Sequence, residues 1–243
     1  MNILISNDDG IKSSGIKTLS SVLSNYGKTF IIAPHKDISA SSSCLSVHYP
    51  VSVKKINNNE YEVKGTPADC VHIGTRGILK KYPDIIFSGI NYGSNLGDDV
   101  IYSGTVGAAI EGRHARYGSY AISIAASHPN FTSDLEQKCI KVLDYIFTKL
   151  IKYQSVFNIN IPDLPLDKIK GIKITSLGER EISKRAKKNT LNDTIKYEIG
   201  PVGKGKVKRA NDFHAINKGY ISITPISIDM TNKSLYMKLR GSV

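Results

Sequence analysis

Met1-Asn-Ile-Leu-Ile-Ser-Asn-Asp-Asp-Gly10 is a short apolar run that breaks abruptly into oxygen-bearing side chains. Ile3, Leu4 and Ile5 are consecutive rather than alternating, the pattern of a strand buried on both faces. Asn7, Asp8 and Asp9 fall where that strand ends, and Gly10 permits a sharp turn after them. In open α/β sheets, ligands bind in the crevice beyond the carboxyl ends of the strands. Two adjacent carboxylates there repel each other unless positive charge lies beside them. A hard divalent cation with oxygen ligands supplies that charge. The same residues would also make an ordinary turn with a helix cap, so the rest of the chain must decide.

Working outward, Ile16, Leu19, Val22 and Leu23 recur at helical spacing over residues 15–26, and Gly27 ends that helix. Residues 29–33 form a second apolar run, stopped by Pro34. Strand, helix, strand in this order predicts a parallel sheet. The polar loop 35–44 comes next, and its Ser39 could ligate a cation or hold a phosphate oxygen; a plain serine-rich loop is the simpler reading. Alternation on either side of Asn57-Asn58-Asn59 predicts a hairpin. Thr66, Pro67 and Asp69 have the spacing of a capping box with proline in the first turn, a structural role that needs no chemistry.

The second informative stretch runs from 88 to 112, after a buried strand over 83–89. Asn91 leaves that strand on the same side as Asp8 and could offer a neutral carbonyl ligand. Gly89, Gly93 and Gly97 would let backbone amides approach an anion. Ser103-Gly104-Thr105 opens a helix expected over 106–116, and a helix N-terminus with two hydroxyls suits phosphate. No Gly-Lys-Ser/Thr is present there, so this is not a Walker loop. Further strands are expected at 120–125, 156–161 and 219–225. Between the first two lies a helix with a capping box at Ser133 to Glu136 and a core stripe from Leu135 to Leu150. Runs 172–177 and 194–199 read as strands of a more open, basic segment. His128 and His214 read as ordinary surface or packing histidines.

The chain has 243 residues, 40% hydrophobic and 22% charged, enough for one substantial α/β domain without an evident linker or repeat. Cys44, Cys70 and Cys139 form no CxxC pair, which argues against a thiolate zinc site or a disulfide framework. No apolar run reaches the length of a membrane span, and no signal-like segment opens the chain, so a cytoplasmic protein is expected. The net charge of +12 is concentrated between Arg180 and Arg209, where Tyr197 is the single interleaved aromatic. A solvated face suits that pattern better than a stacking platform for single strands.

Taken together, Ser6-Asn-Asp-Asp-Gly10, Ala33-Pro34, Ser39, Gly65 to Val71, the run 88–112, Asn158 to Asp163 and Gly219 to Pro225 resemble the SurE family of metal-dependent nucleotidases. The resemblance covers essentially the whole chain. It implies a Rossmann-like three-layer α/β/α fold with a mostly parallel sheet. It also implies one domain over 1–243 with an extended C-terminal β-hairpin arm near 172–210 that mediates a homodimer or homotetramer. It implies one Mg²⁺ or Mn²⁺ per subunit on Asp8, Asp9, Ser39 and Asn91, with phosphate near Asn95, Ser103, Gly104 and Thr105. Asp8 and Asp9 are the expected catalytic residues, Asp8 as base or nucleophile and Asp9 chiefly as ligand. The implied reaction is hydrolysis of nucleoside 5′-monophosphates, with 3′-monophosphates and short polyphosphate as further substrates. His35 and Ile38 depart from an Asp and an Arg often found there, and Tyr92 and Ser94 from a small residue and a proline. A haloacid-dehalogenase-like mechanism is disfavoured, because it needs Asp-x-Asp. A nucleotide- or RNA-binding regulator suits the charge but leaves Asp8 and Asp9 without a purpose.

Overall fold

The computed structural model describes residues 1–126, 128, 134–191, 194–200 and 202–241. In chain order the elements are β1 (Asn2–Ser6), α1 (Ser14–Leu23), β2 (Lys28–Pro34), β3 (Val53–Lys55), β4 (Glu60–Val63) and α2 (Pro67–Ile73). Next come β5 (Ile85–Tyr92), α3 (Gly104–Glu111), β6 (Ser119–Ile124), α4 (Leu135–Tyr145), β7 (Val156–Ile161) and β8 (Ile172–Ile174). The last are β9 (Lys187–Leu191), β10 (Thr194–Glu198), α5 (Asp212–Asn217), β11 (Ile221–Ile226) and α6 (Lys233–Arg240).

Nine strands among the described residues form one sheet in the order β3-β4-β2-β1-β5-β6-β7-β11-β8. From β4 to β7 every pairing is parallel; β3 and β11 each run antiparallel to an inner neighbour, β4 and β7. β1 therefore lies inside the sheet, as its uninterrupted apolar run requires. Its two faces serve two cores. Ile3 and Ile5 pack with Leu19 and Leu23 of α1 and Cys139 and Val142 of α4, whereas Leu4 packs with Cys70 and Val71 of α2 and Ala108 of α3. Helices on both faces of a mostly parallel sheet make the expected three-layer α/β/α fold. Tyr120 stacks between Phe87 and Phe157 at 5.2 Å from each, tying β5, β6 and β7 together through their side chains.

Several local expectations change. α3 stops at Glu111 rather than 116, because Gly112 caps it and a Cβ there would meet Ile86 at 2.9 Å. Residues 172–174, read as part of the basic segment, are instead the edge strand β8, parallel to β11. Its exposed Lys173 and Ile174 carry the surface character of an edge rather than a core run. The arm is narrower: β9 and β10 pair from Lys187↔Glu198 to Leu191↔Thr194, and an Arg180↔Gly205 bridge continues toward the body. β9 was not foreseen, since Lys187, Lys188 and Asn189 are poor strand formers and only the partner strand makes them one. Neither was α6, which buries none of its side chains. The cap residue of the box expected at Ser133 lies outside the described residues. Asp134 makes no side-chain cap in α4; it pairs with the buried Lys138 and accepts from Leu166 N at 2.7 Å. The Thr66–Asp69 capping box is present as expected.

Candidate active site

Four segments meet at the carboxyl end of β1: its own turn, the serine loop after β2, the end of β5, and the start of α3. Asp8 is the buried centre. Its Oδ1 accepts from Thr105 Oγ1 at 2.7 Å and its Oδ2 from Thr105 N at 3.2 Å, so both oxygens are tied to the first turn of α3. Its own carbonyl accepts from Ile38 N at 2.9 Å, which draws the serine loop alongside. That contact is made by backbone, so isoleucine at 38 still seats the loop. The approach of α3 depends on Gly104. A Cβ there would lie 2.8 Å from Ser41 Oγ and 3.1 Å from Asp8 Cβ.

β5 supplies Asn91 by breaking its register. The pairing with β6 shifts between Ser88 and Asn91, a bulge that re-aims the residues beyond it. Gly89, at φ +140°, allows it; a Cβ would strike Ile122 O at 2.3 Å. Asn91 is buried and its amide nitrogen donates to Gly93 O at 2.8 Å, which leaves the carbonyl oxygen as the ligand-capable atom. Tyr92 accommodates its departure from the family pattern by pairing its hydroxyl with Ser14 at 2.8 Å.

Asn95 is held as firmly as Asp8. Its amide nitrogen donates to Ser123 Oγ at 2.8 Å and, weakly, toward Thr105 Oγ1 at 3.5 Å. Its backbone N–H donates to Asn160 Oδ1, and its carbonyl accepts from both Asn158 and Asn160 side chains. Ser103 caps α3 by accepting from Val106 N at 3.1 Å. Thr105 spends its proton on Asp8, so in this arrangement its hydroxyl fixes the carboxylate rather than pointing at an anion.

The electrostatics suit a bound cation. Burial pushes the Asp8 carboxyl above the ordinary carboxylate range, against the lowering bonds from Thr105. Asp9 is pushed up to about 6, by burial first and then by the charge of Asp8. Asp9 Oδ2, Asn7 Oδ1 and Ser41 Oγ are buried with no hydrogen-bond partner. A buried oxygen without a donor is costly unless something positive meets it. Two carboxylates plus neutral oxygens is a hard-cation donor set. Among the described residues no three His, Cys, Asp or Glu side chains cluster as a metal site, so neutral oxygens are needed to complete one.

Ser39 is exposed, and both its hydroxyl (2.6 Å) and its N–H (2.8 Å) donate to Asp37 Oδ1. Asp37 was missed in the sequence, yet its charge reaches both Asp8 and Asp9 and raises their pKa values further. Asn158 and Asn160 fell within the family-like stretches but had no role there. Their signal is period two: two buried asparagines in Val156-Phe-Asn-Ile-Asn-Ile161 point one way, and a buried amide needs a partner.

Known proteins resemble this chain over nearly its whole length. The family model described as "Survival protein SurE" matches residues 3–184. A protein of Histophilus somni named 5′-nucleotidase SurE is 44% identical over 95% of this chain and 94% of its own. One of the same name from Legionella pneumophila is 39% identical over 97% and 94%. The crystal structure of SurE protein from Aquifex aeolicus superposes with a TM-score of 0.86 at 35% identity, covering 99% of this chain and 98% of that one.

Proposed function

This chain belongs to the SurE family, and from that premise we propose that it is a divalent-metal-dependent 5′-nucleotidase, hydrolysing nucleoside 5′-monophosphates to nucleoside and phosphate. The observation that carries the reading is the pair Asp8 and Asp9 at the end of β1, with Asp8 tied at both oxygens to the N-terminus of α3. A cation, Mg²⁺ or Mn²⁺ at one per subunit, would be held by Asp8, Asp9, Ser39 and Asn91, neutralising phosphoryl charge and the repulsion between the carboxylates.

The protein's own groups do the rest. The start of α3, with Gly104 and the Ser103 cap, presents the positive end of the helix dipole to the phosphate. Asn95 stands beside it on a rigid mount, its backbone held by Asn158 and Asn160. Asp8 cannot rotate without losing Thr105, which holds its lone pairs in one direction to orient the attacking water and accept its proton. Asp9, less buried and next to it, serves chiefly as a ligand.

The reading extends to 3′-monophosphates and short polyphosphate as further substrates, and to a homodimer or homotetramer formed through the β9–β10 arm. It takes the chain as one domain whose arm spans about 179–206. A cytoplasmic setting is supported by three free cysteines, and no described helix is long and apolar enough to cross a membrane. The test is phosphate release from a panel of nucleoside 5′- and 3′-monophosphates and tripolyphosphate, with EDTA, Mg²⁺ or Mn²⁺. Asp8→Asn is expected to lower kcat by about 10²- to 10⁴-fold while the protein stays folded. Folded wild type that releases no phosphate with either metal would overturn the reading.

A further inference from the structure

Beside the phosphate site lies a cleft of ≈ 580 Å³, lined by Ala40, Asp98, Ile101, Tyr102, Ile199 and Val202 among others. Its volume is that of a small-molecule site. Its position is fixed by the catalytic loops themselves. Ala40 comes directly after Ser39, and Tyr102 precedes the α3 cap Ser103. Two bonds lock these walls together: Ser42 N donates to Tyr102 O at 3.1 Å, and Ser42 Oγ to Ile101 O at 2.6 Å. The opposite wall is the base of the arm, held by the ion pair between Arg180 and Asp99 and by Arg180 N donating to Asp98 Oδ1 at 3.1 Å.

The chemistry of the lining selects its occupant. Tyr102, Ile101, Ile199 and Val202 are all exposed apolar or aromatic side chains. The charges are Asp98, Asp99, Glu181 and Arg180, and with Asp99 paired to Arg180 the remainder is negative. In a protein of net charge +12 this is an acidic, apolar recess. A second phosphate group is repelled there. A flat, uncharged, hydroxyl-bearing group is accepted: rings stack on tyrosine or on aliphatic side chains, and hydroxyls donate to carboxylates.

We propose that this cleft is the nucleoside subsite of the proposed nucleotidase reaction, with Tyr102 as the surface on which the base stacks and Asp98 as the acceptor for ribose hydroxyls. The inference rests on the nucleotidase reading for its reaction, but the subsite can be read separately through binding. A phosphate at Ser103 and Gly104 would lie one residue along the chain from Tyr102, which lines the cleft, so an attached nucleoside would have the cleft within reach.

The experiment compares wild type, Tyr102→Ala and Asp98→Asn on two substrates, adenosine 5′-monophosphate and glycerol phosphate, with adenosine binding measured by calorimetry alongside. Tyr102 is 64% exposed, so its truncation leaves the fold intact. Loss of one stacked base raises KM for the nucleotide about tenfold. The kcat for the nucleotide and both constants for glycerol phosphate stay within about twofold, as expected for an exposed position outside the phosphate site. Adenosine affinity falls in parallel, and Asp98→Asn gives a smaller loss in the same direction. If the wild type hydrolyses neither substrate, the nucleotidase reading fails, while tight adenosine binding that Tyr102→Ala weakens still supports the subsite. Equal shifts on both substrates, no adenosine binding to wild type, or a changed oligomeric state in Tyr102→Ala with unchanged nucleotide KM would overturn it. The last result would assign the cleft to a second copy of the chain.

Discussion

The crevice at the end of β1 and the β9–β10 arm are opposite solutions to placing polar residues. In the crevice Asp8, Asn95 and Thr105 are buried, and each is bonded to its neighbours through side chain and backbone. On the arm, residues 181–190 and all of β10 are exposed, and the lysines of that stretch face water. The crevice is acidic in its titratable groups, while the arm holds much of the +12 excess. Net charge therefore describes the part of the molecule that touches least. The proposed chemistry depends on the part where polar atoms are buried and held by side-chain and backbone bonds.

The contrast breaks most sharply at Gly104. A valine there would push on Ser41 Oγ and on Asp8 Cβ, which a glycine meets without contact. The backbone of Gly104 is helical, so no φ strain intervenes and the effect is one of packing. Overpacking of this kind costs about 1–3 kcal/mol, which for a chain of this size is roughly 2–12 °C in Tm. Displacing Asp8 relative to the start of α3 is expected to lower kcat by about 10²-fold in steady-state assays of Gly104→Val. Retention of full activity would mean that the close approach of α3 to Asp8 does not matter to the reaction.

How much of this was legible beforehand divides along the same line. Ile3, Leu4 and Ile5 announced a central strand because burial on both faces leaves a pattern no surface strand shows. Asp8, Asn91 and Ser103 could be placed because each sits immediately after a recognisable strand or before a recognisable helix. Asp37 was not legible: it lies in an exposed loop, and only the folding of that loop over Asp8 brings its charge to bear. The sequence points the Thr105 hydroxyl toward phosphate, whereas its proton goes inward to Asp8; a sequence names the residue but not the direction of its hydroxyl. The run 172–177 reads as part of the arm because an edge strand as short as β8 carries too little pattern to show which sheet it joins. The cleft walled by Ile101, Tyr102, Ile199 and Val202 joins segments almost 100 residues apart, and no local signal could have paired them.

A second measurement sharpens the contrast through pH. Asp9 has its carboxyl pushed up to about 6 by burial and by Asp8. The folded protein thus holds this proton more tightly than the unfolded chain, whose carboxylates titrate near 3.9. Between those values the folded state binds more protons, so the metal-free protein loses stability as pH rises toward and through 6. Metal-free Tm is expected to be a few degrees higher at pH 5 than at pH 7.5 relative to Asp9→Asn, which removes this titration. Adding divalent cation reverses the preference. At 100 times its dissociation constant a ligand stabilises by about 2.7 kcal/mol, and protons compete for Asp9 below pH 6. The rise in Tm on adding Mg²⁺ or Mn²⁺ should therefore be larger at pH 7.5 than at pH 5. A rise independent of pH would separate Asp9 from cation binding.

The smallest effect is expected on the arm, and its smallness is what makes it informative. Lys184, Lys187 and Lys188 are exposed, and no described ion pair involves any of them. Replacing all three with glutamine removes a quarter of the net charge without touching a buried contact. Each such surface change is worth within about 0.5 kcal/mol, so Tm should move by no more than a few degrees. At physiological salt the Debye length is about 8 Å, and long-range attraction of a nucleotide by these lysines is largely screened. kcat/KM for adenosine 5′-monophosphate should then change by less than about threefold at 0.15 M salt, with a somewhat larger drop at low ionic strength where steering survives. A tenfold loss at 0.15 M, carried by KM, would place arm lysines against the substrate, either in the same subunit or from a partner across the assembly. In that case the division between an acidic crevice that works and a basic arm that does not would have to be redrawn.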